Sequence, residues 1–577
     1  MSVQAFLKDQ RSERKCFIRS AFENETDSPL KNSQHSNYSE QSKQSETSQS
    51  SNSQDHYTAS PASVKHSKIK FNKTSLIAQR YGVSARATAA LASAALEDAG
   101  IISTTQKSEI ADKNKIRRSI KKSYKYLEQN FTSNIVPVKA VFFDGRKDDT
   151  RSQIKIGEKF RKSVIKEEHI SVLSKPGNIY LGHYTPESGS ASDVCDGLYN
   201  LLLDKGGIGA LEAVGCDGTV TNTGWKNGII RCLERKIERP LQWIICLLHF
   251  NELPFRALFI HLDGVTEGPS SFTGPIGKEL KGCEKKPVVN YKKIDFIIPT
   301  IDREDLSEDQ KYLLDICIAI KSGICSLDLS LNNPGTLNHS RWLTCSNRLL
   351  RLYVATPKTN TALKTIVTYI LKVYAPLWFS IRKEKSFSNG SKHLFKAILL
   401  SRYLPSNLKK IVDSCIARNA YFALPKNILV AFMCDARHNV RLDALNKILK
   451  VREKEGEENQ MIKSTKLPKI NFNANDYFEL VDWTKTPFIS PPVLQNISDE
   501  ELTQKLNHET VYLDWEFCKL PCHTVAVERT VKLVTEASDR VYGSENREGY
   551  IRANLQSRSE MKKFNSKRDF TVQSNQV

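Results

Sequence analysis

A chain of 577 residues exceeds one compact core and suggests three or four domain-sized units, and with 40% hydrophobic and 26% charged residues it is not wholly disordered. Its 85 Lys and Arg against 64 Asp and Glu leave a formal net charge of +21, which draws polyanions, nucleic acid foremost. Thirteen cysteines without dense short spacing suit reduced thiols in the cytosol or nucleus, and the charged start MSVQAFLKDQRSERK lacks the apolar stretch of a signal peptide.

Residues 1–66 read as a disordered Ser/Gln-rich tail with hardly an apolar anchor. Residues 67–135 read as a small basic helical region, with an Ala-rich helix from Ser84 to Gly100 and a second from about 109 to 129. In the second, Lys113, Lys115, Arg117, Arg118, Lys121 and Lys122 suit contact with DNA phosphates or a nuclear-import signal, and a solvated helix face accounts for them equally well. Only Cys16 precedes Cys195, so no zinc finger is expected in this part.

Over 136–265 the texture is β-rich. VKAVFFDG (138–145), EEHISVLSK (167–175) and NIYLGHYTP (178–186) read as strands, SASDVCDGLYNLLLDKGG as a helix, LEAVGCDGT as a fourth strand, WKNGIIRCLERKIE as a helix and LQWIICLLH as a fifth strand. The order is β-β-β-α-β-α-β. Residues 266–505 read as a mainly helical insertion, 506–556 as helices returning to the core, and 557–577 as a basic flexible tail. The most apolar run, LKTIVTYILKVYAPLWFSI, carries Lys364, Lys372 and Pro376, which suits a buried helix better than a bilayer, so a soluble protein with no membrane partner is expected.

Asp144 and Asp217 fall at the ends of the first and fourth predicted strands, where adjacent strands bring carboxylates to one edge. Two such groups repel unless a cation lies between them, and Mg²⁺ or Mn²⁺ prefers oxygen ligands. A pair of ions about 3.5–4 Å apart can activate water and stabilise the leaving oxygen of a phosphodiester. Each Asp precedes Gly, which is also an ordinary turn pair. The chemistry needs a third acid, and periodicity does not choose it.

Residues 213–259, HSRWLTCSNRLL (339–350) and TVAVERTVKLV (524–534) resemble the hAT superfamily of DNA transposases, whose catalytic domain is RNase H-like and interrupted by a large helical insertion. The resemblance spans roughly 137–556. It implies an α/β fold: an RNase H-like mixed sheet split by an all-helical insertion. It also implies that Asp144 in VFFDG, Asp217 in CDGTVTNTG and Glu528 in VERTV form a catalytic, metal-binding triad for two Mg²⁺ or Mn²⁺ ions. Cys246 and His249 match the family's CxxH step, Cys246 as a structural residue and His249 orienting a water or phosphate. Arg341 and Trp342 match its RW pair, a DNA contact by stacking and phosphate binding, although Trp342 is equally readable as a core residue. A zinc site joining Cys246 and His249 to Cys518, Cys522 or His523 stays open.

The implied activity is metal-dependent DNA cleavage and strand transfer in the nucleus, on double-stranded DNA, with homo-oligomers expected by analogy. The competing reading is a domesticated relic that binds DNA or protein without catalysis; a nuclease for RNA hybrids would not need so large an insertion.

Overall fold

The computed structural model describes residues 69–102, 110–133, 137–156, 159–266, 271–337, 342–455, 466–506 and 515–560. The expected N-terminal tail and Arg341 lie outside the described residues.

Four consecutive apolar residues in AVFF make both faces of a strand hydrophobic, which requires cover on both sides. Strands β1 (Ala140–Ile156), β2 (Lys159–Lys175), β3 (Ile179–Tyr184), β4 (Ala213–Cys216) and β5 (Gln242–Ile245) form one mixed sheet in the order β3-β2-β1-β4-β5. The first three strands pair antiparallel, and β4 and β5 run parallel to β1. This is the expected RNase H-like arrangement. Around it lie α1 (Asn72–Tyr81), α2 (Ala85–Asp98), α3 (Lys113–Ser133), α4 (Ala191–Asp204), α5 (Ile229–Lys236), α6 (Leu247–Asp263), α7 (Pro425–Met433), α8 (Val525–Arg540) and α9 (Ser544–Glu560), with the other insertion helices between α6 and α8.

One face of the sheet buries Val141, Phe143, Val214 and Trp243 under Val194, Leu198 and Leu202 of α4 and Ile229, Ile230 and Leu233 of α5. The other buries Ala140, Phe142, Ala213 and Ile244 in a core that continues through Phe255 and Phe259 of α6, Val527, Leu533 and Val534 of α8, and the insertion. Phe142 lies over Gly215, where a Cβ would stand 2.4 Å from the ring, so the close approach of β1 to β4 requires glycine there.

Two boundaries differ from expectation. β1 and β2 do not stop near Asp144 and Glu167 but continue as a paired ribbon to Ile156 and Lys159, so Asp144-Gly145 is mid-strand and not a turn. Conversely, pairing of β5 ends at Ile245, and LLH opens α6; the N–H of Leu247 donates to Cys522 O at 2.9 Å, which satisfies one of the helix's orphan donors.

The insertion is helical from Glu308–Ser322 through His438–Glu455. Its most apolar run forms Thr361–Tyr369 and Ala375–Lys383, joined by a π-turn, with Ile366, Ile370, Tyr374 and Phe379 in the core. Among the described residues no helix is long and apolar enough to cross a membrane.

The insertion is keyed to the sheet by buried polar groups. Gln242 Nε2 donates to Asn427 Oδ1 at 2.5 Å, Asn427 Nδ2 to Trp243 O at 3.1 Å, and Lys426 Nζ to Leu241 O at 2.5 Å.

The N-terminal helices contain α1 in addition to the two expected, stopped by Gly82 at φ +66°. Ser84 caps α2, accepting from Ala87 N at 3.2 Å. Helices α1 and α3 pack on α9: the Tyr124 ring covers Gly549, and its hydroxyl donates to Gln79 at 2.9 Å. α9 extends to Glu560, so the first residues of the expected C-terminal tail, from 557, are helical.

Candidate active site at the carboxylate edge

The parallel pairs Ala140↔Ala213, Val141↔Val214 and Phe142↔Gly215 share one offset, which carries Asp144 beside Asp217 just past the last pair. By strand alternation both side chains leave on the face of Phe142 and Ala213, the face that α8 covers. Cys216, buried in the core of the opposite face, has its thiol held well above the ordinary range by burial and further by the charges of Asp217 and Asp144. Both aspartates are half-buried.

The two are held differently. Asp144 Oδ1 accepts from the N–H of Gly145 at 2.8 Å. Asp217 Oδ1 accepts from Thr219 N at 3.2 Å, Thr219 Oγ1 at 2.9 Å and Asn222 Nδ2 at 2.6 Å. The DGTVTN stretch thus folds back on its own acid through a one-turn helix, Val220–Thr223, and fixes its orientation.

Glu528 arrives from far along the chain. α8 lies along β1, where Thr535 Oγ1 donates to Asp148 and Asp539 pairs with Arg151 at 3.9 Å. From Thr535 back to Glu528 the helix recedes about 10 Å, and from Asp148 back to Asp144 the strand recedes about 13 Å. The first turn of α8 therefore comes level with Asp144. Backbone bonds stitch the segments together: Cys246 N to Cys216 O and Leu247 N to Cys522 O, both 2.9 Å. Glu528 Oε1 accepts from Thr524 Oγ1 at 2.6 Å. Among the described residues no three His, Cys, Asp or Glu side chains form a ready metal-binding group, and this triad is no exception.

Cys246 is fully buried at the N-cap of α6, and His249 is its third residue, on a helix and not at a strand end. Its ring lies beside the Asp217-Gly218 step: a Cβ on Gly218 would stand 3.5 Å from His249 Cδ2. The N-terminus of this 17-residue helix thus opens at the acidic edge, where its dipole favours anions.

Two cations missed in the sequence lie beside the start of α8. Arg382 Nη1 is 3.4 Å from His523 Nε2, and its pKa is lowered by burial and by the neighbouring charge of Arg529. Arg529 adjoins Glu528 and could have been flagged; Arg382 ends an apolar helix 147 residues earlier than Arg529, with no local signal.

The zinc alternative is not supported by the placement of its residues. Cys518 Sγ faces Cys434 Sγ at 3.7 Å, the buried Cys522 thiol is pushed up by burial, and His523 faces the Arg382 cation.

Trp342 corrects an expectation: it is 3% exposed, edge-on to Phe255 and Phe259 at 5.6 and 5.5 Å, and offers no face to a base. Its bulk fills the space between α6 and the insertion. In α3, Arg117, Arg118, Lys121 and Lys122 are exposed while Lys113 and Lys115 are partly covered, and Ile116 and Ser123 face inward.

No family model and no curated protein matches the chain. Among solved structures the chain is similar to the Drosophila P element transposase strand transfer complex, at 10% identity and a TM-score of 0.30, covering 86% of this chain and 93% of that one.

Proposed function

We propose that this chain is an hAT-like DNA transposase, or derives from one, and cuts double-stranded DNA at the carboxylate edge before joining the freed 3′ hydroxyl to target DNA. The observation that carries this reading is the in-register placement of Asp144 and Asp217 at the ends of parallel pairing, with the first turn of α8 level with them.

The donor set fits hard divalent cations: Asp144 and Asp217 would hold Mg²⁺ or Mn²⁺, two ions together, and Glu528 would join by leaving Thr524. Such ions supply an activated water and stabilise the leaving oxygen of a phosphodiester. The chain's own groups do the rest. Thr219 and Asn222 keep Asp217 aimed, so no reorganisation is needed when a phosphate arrives. His249 orients the water or the phosphate, and the α6 N-terminus and the Arg382–Arg529 pair favour the anionic backbone. No covalent enzyme intermediate is required. DNA as substrate places the work in the nucleus.

Asp217→Asn should reduce Mn²⁺-dependent cleavage of duplex DNA to background while the thermal melt stays unchanged; undiminished cleavage would overturn the assignment. A second reading, a relic that binds DNA or protein without cutting, is favoured by the hold of Thr524 on Glu528. Calorimetry separates the two: the enzyme binds Mn²⁺ and loses that binding in Asp217→Asn, whereas the relic shows none in either protein.

A further inference from the structure

β1 and β2 pair over 17 residues each, yet the rest of the sheet accompanies them only part of the way. β4 pairs with Ala140–Phe142 and β3 with 170–174. Among the described residues no further strand joins β1 and β2 from Arg146 opposite His169 to Ile156 opposite Lys159, and α8 covers the near part of the pair, where Asp148 and Thr150 are buried. At about 3.3 Å per residue the ribbon reaches roughly 40 Å from the carboxylate edge. α8 braces its base through Thr535 and Asp539.

Its charge is lopsided. Residues 146–166 hold eight Lys and Arg against three Asp and Glu. Arg146, Lys147, Lys159, Arg161, Lys162 and Lys166 are exposed, whereas Asp148 is buried and engaged by Arg146 at 2.9 Å and by Thr535. Tyr542, just after α8, lies under both Arg151 and Lys162, with the cations 5.7 and 5.2 Å from its ring centre.

Lysines on a bare strand edge also deter pairing between chains. Here, however, exposed cations lie on both strands, a pattern for a polyanion that lies along the side of the ribbon α8 leaves uncovered. A two-stranded ribbon enters a major groove about 12 Å wide, and a reach of roughly 40 Å matches about one turn of duplex. Because the ribbon starts at Asp144, a duplex it grips is led to the carboxylates.

We propose that the ribbon formed by β1 and β2 beyond Asp144 is a docking arm for double-stranded DNA. The identity of the polyanion rests on the proposed function; the binding does not rest on cleavage.

The test is fluorescence anisotropy of a labelled mixed-sequence duplex with the full chain in EDTA, so that binding is read without chemistry. The triple variant Lys159→Ala, Arg161→Ala, Lys162→Ala should bind at least ~10-fold more weakly at 0.15 M salt, and the slope of log K against log salt should become shallower by about 2 to 3. A matched variant on α3, Arg117→Ala, Arg118→Ala, Lys121→Ala, should change both less. If the triple variant melts early, Arg161→Gln with Lys162→Gln replaces it, with a slope change of about 1 to 2. An unchanged slope in the ribbon variant overturns the proposal, as does a loss confined to poly-glutamate binding, which would assign the ribbon to an acidic protein. Failure of wild-type cleavage with ribbon-dependent binding intact sinks only the proposed chemistry.

Discussion

At the junction of sheet and insertion, Glu234 is fully buried and both its oxygens are used. Oε1 accepts from Leu241 N and Trp243 Nε1, each at 2.9 Å, and Oε2 pairs with Arg231. Lys426, 3.8 Å away, is also buried, which lowers its pKa to about 8. At the carboxylate edge, by contrast, Asp217 gathers three local donors onto one oxygen and stays half-buried. Both clusters are charged and belong to the same sheet. One is saturated by the chain itself and ties distant segments together; the other is oriented by its own turn and faces outward. A buried polar cluster with every partner supplied positions an element, whereas an acid fixed in aim but not neutralised is built to meet something else.

The comparison predicts different failures. Glu234→Ala leaves Arg231 and Lys426 buried without their carboxylate and should cost about 3–5 kcal/mol in urea unfolding. Asp217→Asn, judged by the same measurement, should change stability by less than about 1 kcal/mol. Equal losses would erase the distinction between the two regions.

A smaller effect concerns a buried histidine. His169 bonds Thr150 at 2.8 Å and has its pKa lowered to about 4 by burial, then by Arg547 and His183. Between pH 6.5 and 4 the unfolded chain takes up a proton that the folded chain refuses. This group's contribution is therefore intact above pH 6.5 and is lost as pH falls toward 4, by about 3 kcal/mol in all. Melts at pH 7 and pH 5 should diverge in the wild type, and His169→Gln should narrow the gap; an unaltered gap would assign the acid sensitivity elsewhere.

The smallest expected effect tests the outward-facing cluster. Thr524→Val removes a hydrogen bond to Glu528 at a cost of about 1 kcal/mol, and so loosens one hold on the third acid. Calorimetry should then show tighter Mn²⁺ binding than in the wild type, and weaker binding would mean that Thr524 assists the site.

Local signals reached far into this molecule. The short apolar run in VKAVFFDG, the helical spacing in SASDVCDGLYNLLLD and the breaks at Gly and Pro were enough to give the chain order of the five strands and their intervening helices, because local pattern reports which residues are buried. The same signals failed over the extension of β1 and β2 past Asp144, where polar residues occupy buried and exposed positions alike and leave no apolar alternation to read. They also failed at LLH, which is as apolar in a helix as in a strand.

By itself the sequence determined the order of strands and helices along the chain and the helical character of the insertion, since each depends on neighbours within a few residues. Only the tertiary structure decided that Trp342 is core, that Arg382 stands beside His523, that α8 packs along β1, and that β1 and β2 stay paired well past Asp144. These are contacts between segments far apart in the chain, and nothing in the residues near one partner encodes where the other will arrive.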